Sequence, residues 1–259
     1  MLKAEMSVLL EDLEGICRLA GERILSVYNS NFSVTYKADK SPLTEADASA
    51  HEVIVSQLTK RYPDIPVLSE EDVGSFQGPN HLGQFFLVDP LDGTKEFLKR
   101  NGEFTVNIAL IQNGKPAMGA VFAPVLDAYY SGGYKLGARL IKNKEEKALK
   151  VSTHQAGQPW KIVGSRSHST PETENFLAQL EDPYEFMPMG SSLKFCLVAE
   201  GVAHLYPRLA PTNLWDTAAA QAVVSAAGGT VNDLSGNELD YSNWKQTLNP
   251  YFVVSSGSL

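Results

Sequence analysis

The chain has 259 residues, with 22 Lys and Arg against 30 Asp and Glu, which gives a formal net charge of −8. It contains no run of Lys and Arg and no broad basic field, which argues against a nucleic-acid polymer as partner. Its two cysteines, Cys17 and Cys196, provide no disulfide framework and suit a reducing, cytoplasmic compartment.

The first predicted element is an amphipathic helix from near the start of the chain to about Val27, because apolar residues recur there at three- and four-residue intervals. Glu5, Glu11 and Asp12 interrupt the apolar positions, so this segment is not a secretory signal. No uncharged run approaches the length that spans a bilayer. Peripheral attachment to a membrane, at the cytoplasmic face of the inner membrane, stays open.

A second helix is predicted after Thr44 and ends before Pro63. Short apolar runs then predict strands at Pro66–Leu68 and Gln84–Val88. Antiparallel strands follow, with Asn113-Gly114 as a hairpin turn, at Phe104–Gln112, Pro116–Phe122, Ala128–Ser131 and Ala138–Lys142. The charged stretch Lys142–Lys147 predicts a turn or lobe boundary, with an ordinary solvated loop as the alternative.

After about Val151 the pattern changes to alternating strands and helices, which is typical of an α/β unit. The predicted elements are strand 161–163, a helix starting at Pro171, helix Ser192–Glu200, strand His204–Tyr206, a helix from Asp216 to Gly228-Gly229, and strand Tyr251–Val254. We therefore expect a mixed α+β and α/β chain with an N-terminal lobe at 1–150 and a C-terminal lobe at 151–259. Without a detachable linker, the two lobes would form one integrated catalytic domain.

The motif Asp89-Pro-Leu-Asp92-Gly93-Thr94 follows the strand Gln84–Val88 and places two carboxylates in a predicted turn. Hard cations such as Mg²⁺ prefer a compact set of oxygen ligands, which two carboxylates and a backbone carbonyl can partly supply. The backbone N–H groups of Gly93 and Thr94 could also bind a phosphate. An ordinary Asp-Gly turn is the alternative.

Two further segments place acidic residues beside predicted elements. Glu70 and Glu71 follow the strand Pro66–Leu68, and Asp216 begins an Ala-rich helix. The alternatives are a solvated acidic loop for the first and a helix N-cap for the second. If four such carboxylates lay within about 4 to 6 Å of one another, each pair would repel by about 3 to 4 kcal/mol at an effective dielectric of 20. The fold would then need a cation or raised pKa values.

Together these three segments resemble the lithium-sensitive, Mg²⁺-dependent inositol monophosphatase superfamily in order and spacing. The resemblance implies a layered αβαβα sandwich with the site between the lobes, and a phosphomonoesterase that uses two or three Mg²⁺ ions. It also implies a set of metal ligands, namely Glu70, Asp89, Asp92, Asp216 and the backbone carbonyl of Leu91. Glu70 is preferred to Glu71 because the first Glu of the pair matches the family ligand.

The resemblance also implies a pair of residues that handle the proton. A threonine matching Thr94 bonds the nucleophilic water and is oriented by an aspartate matching Asp47, while Glu70 contacts the same water. Asp47 has an alternative role in a capping box with Thr44. Thr94 could instead be a simple helix cap.

Within the superfamily, Gly190–Cys196 and Leu205–Arg208 resemble the bacterial 3′(2′),5′-bisphosphate nucleotidases, which act on adenosine 3′,5′-bisphosphate. The resemblance implies that the second phosphate and the nucleoside bind to His168, Ser191, Lys194 and Arg208. Gly93, Thr94 and Asp216 would contact the phosphate that is removed. Lys194 could instead be a snorkelling surface lysine, Arg208 a surface ion-pair partner and His168 a loop residue. Ser191 and Ser192 follow Gly190 without the Gly-x-Ser-x-Gly elbow of a serine nucleophile.

Two other functions remain as alternatives to the nucleotidase. One is an inositol or sugar phosphatase with the same metal site. The other belongs to a different class, a metal-dependent protein that binds an anionic nucleotide without hydrolysing it. A monomer and a homodimer are both compatible with the sequence.

Overall fold

A computed structural model describes residues 3–30, 34–36, 42–165 and 170–257 of the chain. The helices are α1 (Lys3–Tyr28), α2 (Glu45–Arg61), α3 (Thr94–Leu98), α4 (Pro171–Leu177), α5 (Leu193–Ala199) and α6 (Ala218–Ala226), with a 3-10 turn at Leu214–Asp216. The strands are β1 (Val34–Tyr36), β2 (Pro42–Thr44), β3 (Val67–Ser69), β4 (Gln84–Asp92), β5 (Thr105–Gln112), β6 (Lys115–Ala123), β7 (Ala128–Gly133), β8 (Gly137–Lys142), β9 (Glu145–Leu149), β10 (Trp160–Gly164), β11 (Tyr184–Pro188), β12 (Leu205–Arg208), β13 (Thr230–Asp233) and β14 (Phe252–Ser255).

The larger sheet has seven strands in the order β3-β4-β5-β6-β7-β8-β9. β3 is parallel to β4, and the other neighbouring pairs are antiparallel. Successive side chains of β4 point to opposite faces of the sheet. Phe86 and Val88 pack in the core formed with α1 and α2, whereas Phe85 and Leu87 belong to the core that includes α5 and α6. Helices therefore cover both faces of this sheet.

The smaller sheet has five strands in the order β11-β10-β12-β14-β13. Val163 and Val254 on one face join the core that includes α5 and α6, while Ile162 and Leu205 on the other face pack with Leu177 of α4. The layers therefore run from α1 and α2 through the larger sheet, α5 and α6, and the smaller sheet to α4. This order confirms the predicted αβαβα sandwich.

Helix α6 lies unusually close to the larger sheet. A Cβ atom added to Gly119 would lie 2.1 Å from the carbonyl oxygen of Ala219, and one added to Gly132 would lie 2.8 Å from Cα of Val223. The missing Cβ atoms thus let the helix backbone contact the strands directly. Because α6 starts just after Asp216, this packing fixes the backbone beside a predicted metal ligand.

The predicted helices at the start of the chain, α1 and α2, are confirmed, as is the hairpin at Asn113-Gly114. The turn predicted within 142–147 is confirmed at Asn143 and Lys144, whereas the alternative of a solvated loop over the whole stretch is wrong, because β9 begins at Glu145. Strands β11 and β13 were not predicted. The division into lobes at 1–150 and 151–259 falls between β9 and β10 and stays a prediction. None of the helices in the described ranges is long and apolar enough to cross a bilayer.

Candidate active site

The sequence predicted that strand β4 ends at Val88, before the acidic motif. The strand instead continues into the motif and ends at Asp92. Asp89 pairs with Asn107 of β5 and Asp92 pairs with Thr105, so three steps along β4 match two along β5. Residues three apart on a regular strand point to opposite faces, but the extra residue of this β-bulge changes the alternation. Both carboxylates consequently line the same cleft.

Gly93 turns the chain from β4 into α3 with a left-handed φ of 93°. Glycine adopts this conformation at little steric cost. A Cβ atom here would lie 3.1 Å from the carbonyl oxygen of Glu103 and 3.2 Å from Cβ of Ser191. The glycine therefore serves both the turn and the close approach of Ser191, a predicted substrate residue from the C-terminal half of the chain.

Three carboxylates converge in the cleft from three different elements. Glu70 follows β3, Asp89 lies on β4 and Asp216 ends the 3-10 turn, and one oxygen of each lies within 4.8 Å of the others. Burial, followed by the charges of Glu70, Asp92 and Asp216, raises the pKa of Asp89 well above its usual range. Burial and the charge of Asp92 raise the pKa of Asp216 to about 8. A bound cation would relieve this electrostatic cost.

The fourth predicted carboxylate, Asp92, is held differently and is not a member of this group of three. Its Oδ2 atom accepts hydrogen bonds from the backbone N–H of Ser192 at 2.6 Å and from the Ser192 hydroxyl at 2.8 Å. The side-chain amide of Asn107 donates to the same oxygen at 3.5 Å. All three donors meet Oδ2, so the other oxygen, Oδ1, lies outside this network.

Asp47 contacts two threonines at once. Its Oδ2 accepts hydrogen bonds from the backbone N–H and the hydroxyl of Thr44 at 2.8 and 2.7 Å, which completes the capping box of α2. Its Oδ1 lies 3.4 Å from the Thr94 hydroxyl oxygen, which is also 3.4 Å from the carbonyl oxygen of Leu91. Burial raises the pKa of Asp47. The capping role and the predicted pairing with Thr94 are therefore both present in one carboxylate.

Asp216 is fixed by the short turn that precedes α6. Its Oδ2 atom accepts the backbone N–H of Asn213 at 2.8 Å, which closes a capping box across the 3-10 turn. Thr217 occupies the N-cap position of α6, so the alternative that Asp216 caps this helix is wrong. The predicted glycine stop is present, with Gly228 at a φ of 93°.

Two cations, Lys194 and Arg208, line the same cleft, which has a volume of about 460 Å³. Lys194 on α5 is only 7% exposed, and its Nζ donates to the carbonyl oxygen of Ser191 at 2.6 Å and lies 5.4 Å from the centroid of the Tyr206 ring. Burial lowers the pKa of Lys194 to about 8. The alternative of a surface lysine is therefore wrong.

Arg208 at the end of β12 lies beside this lysine in the cleft lining. Its Nη2 donates to the carbonyl oxygen of Pro211 at 2.9 Å, and its buried Nε has no hydrogen-bond partner within the described ranges. An unpaired buried donor is costly, which favours an incoming acceptor. His168, the remaining predicted substrate residue, lies outside the described residues.

A sequence model of the inositol monophosphatase family matches residues 5–253. The chain belongs to this family. The 3′(2′),5′-bisphosphate nucleotidase CysQ of Shigella flexneri is 50% identical over 249 residues, which covers 94% of this chain and 99% of the relative. CysQ of Escherichia coli K12 is 49% identical with the same coverage. The crystal structure of CysQ from Bacteroides thetaiotaomicron is 40% identical, with a TM-score of 0.81 over 94% of this chain and 95% of that chain.

The inositol monophosphatase family is Mg²⁺-dependent, and the cleft of this member fits such an ion. The side chains that converge there offer only carboxylate oxygens, which small hard cations prefer. The carbonyl of Leu91 lies in the same lining. The raised pKa values of Asp89 and Asp216 indicate that the surrounding protein does not fully compensate these two negative charges.

Ser192 and Asn107 were not predicted as parts of the site. Both are 1% exposed, and they bond each other through the Asn107 amide and the Ser192 hydroxyl at 2.9 Å. Asn107 did leave a signal, since it is a polar residue inside the buried strand β5. Ser192 left none, because its partner Asp92 lies 100 residues away in the chain.

Proposed function

We propose that this member of the family is a Mg²⁺-dependent 3′(2′),5′-bisphosphate nucleotidase. It removes the 3′-phosphate of adenosine 3′,5′-bisphosphate, or of the sulfated form of this nucleotide, and serves sulfur assimilation and nucleotide recycling. The observation that carries the proposal is that one cleft is lined both by carboxylates, here called its acidic end, and by Lys194 and Arg208, here called its basic end. A bisphosphate offers a group to each end, and the relatives named CysQ are about half identical to this chain.

The acidic end would hold two or three Mg²⁺ ions through Glu70, Asp89, Asp92, Asp216 and the carbonyl oxygen of Leu91. When bound, Mg²⁺ offsets charge on the phosphoryl oxygens and lowers the pKa of a coordinated water. The protein holds the ligands in place through backbone N–H groups, which bond one oxygen of each of Asp89, Asp92 and Asp216.

Thr94 and Asp47 orient the attacking water. Thr94 donates its hydroxyl proton to Oδ1 of Asp47, and its oxygen is then an acceptor for a proton of the water. Glu70 would contact the same water. Backbone N–H groups of Gly93 and Thr94 face the phosphate at the start of α3.

The basic end reads the second phosphate. Lys194 and Arg208 supply charge-assisted hydrogen bonds to it, with the hydroxyl of Ser191 and the imidazole of His168 as further contacts. An inositol or sugar monophosphate has no group for these cations, so the basic end favours the bisphosphate. Both cysteines are free and buried, which supports a reducing, cytoplasmic setting for the enzyme. The enzyme would act there as a monomer or a homodimer.

Phosphate release from adenosine 3′,5′-bisphosphate, measured with Mg²⁺ and with a chelator, tests the proposal. We expect turnover that requires Mg²⁺ and a higher kcat/KM than for inositol 1-phosphate or adenosine 3′-monophosphate. A preference for inositol or sugar phosphates would select the alternative phosphatase. Saturable binding of the bisphosphate without phosphate release would select the non-catalytic binding protein.

A further inference from the structure

A buried serine joins two predicted metal ligands that come from different parts of the fold. The hydroxyl oxygen of Ser192 lies 2.8 Å from Oδ2 of Asp92 and 3.0 Å from the backbone carbonyl oxygen of Asp216. It also lies 2.9 Å from the side-chain nitrogen of Asn107. Asp92 ends β4 of the larger sheet, whereas Asp216 follows β12 of the smaller sheet. Ser192 is thus a direct link between the two sheets at the site.

The directions of these hydrogen bonds follow from the single proton of the hydroxyl. The Asn107 nitrogen can only donate, so it takes a lone pair of the serine oxygen. The serine proton can then go to Oδ2 of Asp92 or to the carbonyl of Asp216. The carboxylate is the closer acceptor and its bond is charge-assisted, so the hydroxyl donates to Asp92.

The orientation of the Asn107 amide supports the same assignment. Its nitrogen faces Asp92 and Ser192, while its buried Oδ1 has no hydrogen-bond partner within the described ranges. Turning the amide over would place an oxygen against the carboxylate. The present orientation therefore leaves the amide oxygen of Asn107 without a partner but directs the amide N–H toward Asp92.

We infer that Ser192 is a positioning residue for the metal site, which fixes Oδ2 of Asp92 so that Oδ1 is presented to a bound divalent cation. It acts through its backbone N–H and its hydroxyl together, and both donate to the same carboxylate oxygen. This inference rests on the proposed function, in which Asp92 and Asp216 are metal ligands. Residues that orient metal ligands typically change metal affinity by about 10- to 100-fold when they are mutated.

Direct binding of Mn²⁺ to the substrate-free protein, followed by electron spin resonance of the free ion, tests the inference without relying on turnover. We expect Ser192→Ala to raise the Kd for Mn²⁺ by about 10- to 100-fold. Ser192→Cys, which keeps a weak donor, should give an intermediate Kd and provides a second variant if the alanine variant does not fold. Ser131→Ala is the matched control, because Ser131 is also 1% exposed and bonds Arg139. Its Kd should equal that of the wild type.

Measurements in an Asp92→Asn background test whether Ser192 acts on metal affinity through Asp92. If Ser192 acts through Asp92, Ser192→Ala should add little to the Kd of Asp92→Asn. An equal loss in both backgrounds, or a wild-type Kd in Ser192→Ala and Ser192→Cys, would overturn the inference. Thermal melts in chelator report folding separately, and a lower melting temperature with an unchanged Kd would also overturn it. Failure of the wild type to release phosphate would instead refute the proposed function, while the Mn²⁺ comparison still decides the role of Ser192.

Discussion

The acidic and basic ends of the cleft each bury side chains of like charge. The cause that disfavours the charged form differs between the two ends. At the acidic end, burial and mutual repulsion together raise the pKa of Asp89 and of Asp216. At the basic end, burial is the main cause that lowers the pKa of Lys194 to about 8, and the charge of Asp92 partly offsets it. The acidic end therefore gains from any small cation, whereas the basic end gains from an anion.

The two ends also differ in how firmly their side chains are held. Asp89 and Asp216 each accept a backbone N–H within two or three residues, at 3.0 and 2.8 Å. Within the described part of the chain, Lys194 has the carbonyl of Ser191 as its hydrogen-bond partner and lies over the ring of Tyr206. We therefore expect substitutions at the acidic end to remove catalysis, and those at the basic end to change substrate preference.

The largest expected effect is from Asp89→Asn and Asp216→Asn, each of which should abolish Mg²⁺-dependent turnover. Each change removes an anionic ligand from a hard-cation site while keeping the shape of the side chain. Phosphate release from adenosine 3′,5′-bisphosphate over a wide range of Mg²⁺ concentrations is the measurement. Restoration of wild-type kcat at high Mg²⁺ would show that neither carboxylate is required for chemistry.

Stability in chelator should separate these carboxylates from Asp92. The folded-state pKa of Asp89 is raised, so its ionised form costs stability as pH rises above the unfolded value of about 3.9. Asp89→Asn removes that cost and should melt at or above the wild-type temperature at pH 7. Asp92→Asn should instead lose about 1 to 3 kcal/mol, because the two donors of Ser192 would then bond a neutral amide oxygen in place of a charged carboxylate oxygen. If Asp89→Asn melts well below wild type, Asp89 has a structural role.

Thr94→Ala should lower kcat by about 10² to 10⁴-fold, the range for a lost proton-transfer group, with little change in metal affinity. Asp47→Asn should have a similar effect, and the double mutant should be far from additive because the two side chains act as a unit. Asp47 also caps α2, so Thr44→Ala, which disrupts the cap and keeps both Asp47 and Thr94, is the control for the loss of the cap. Wild-type kcat in Thr94→Ala would remove this pair from the mechanism.

The acidic end could be predicted from sequence because its residues lie in compact motifs next to recognisable strands. Asp89 and Asp92 are three residues apart, and Glu70 directly follows β3. The bulge that turns the two aspartates toward one cleft depends on pairing with β5, which no local pattern shows. Ser192 could not be identified for the same reason, since its partners Asp92 and Asn107 are distant in the chain. Lys194 was predicted only through resemblance, and its burial depends on packing between the sheets.

At the basic end, Lys194→Met and Arg208→Met should each lower kcat/KM for adenosine 3′,5′-bisphosphate by about 10- to 150-fold. This range corresponds to about 1.5 to 3 kcal/mol for a charge-assisted hydrogen bond. Adenosine 3′-monophosphate should lose far less, because it offers these cations no second phosphate. A parallel loss on both substrates would show that the two residues do not read that phosphate, and would favour the inositol or sugar phosphatase.

The smallest expected effect is a pH dependence of this preference. Burial disfavours the charged ammonium of Lys194 and lowers its pKa to about 8, so the cation is lost as pH rises through that value. The second pKa of a phosphate group is about 6, so the substrate itself does not titrate in this range. The ratio of kcat/KM for the bisphosphate to that for adenosine 3′-monophosphate should therefore fall above pH 8, toward the value of Lys194→Met.

Use of a ratio cancels any pH effect on the metal ligands or on the attacking water, because both substrates share them. Lys194→Arg supplies the matched control, since a guanidinium stays charged throughout the range and its ratio should not change with pH. A wild-type ratio that is equally flat between pH 7 and pH 9.5 would show that the charge of Lys194 does not set the preference. The basic end would then act through Arg208 and shape alone, and the electrostatic contrast between the two ends of the cleft would be wrong.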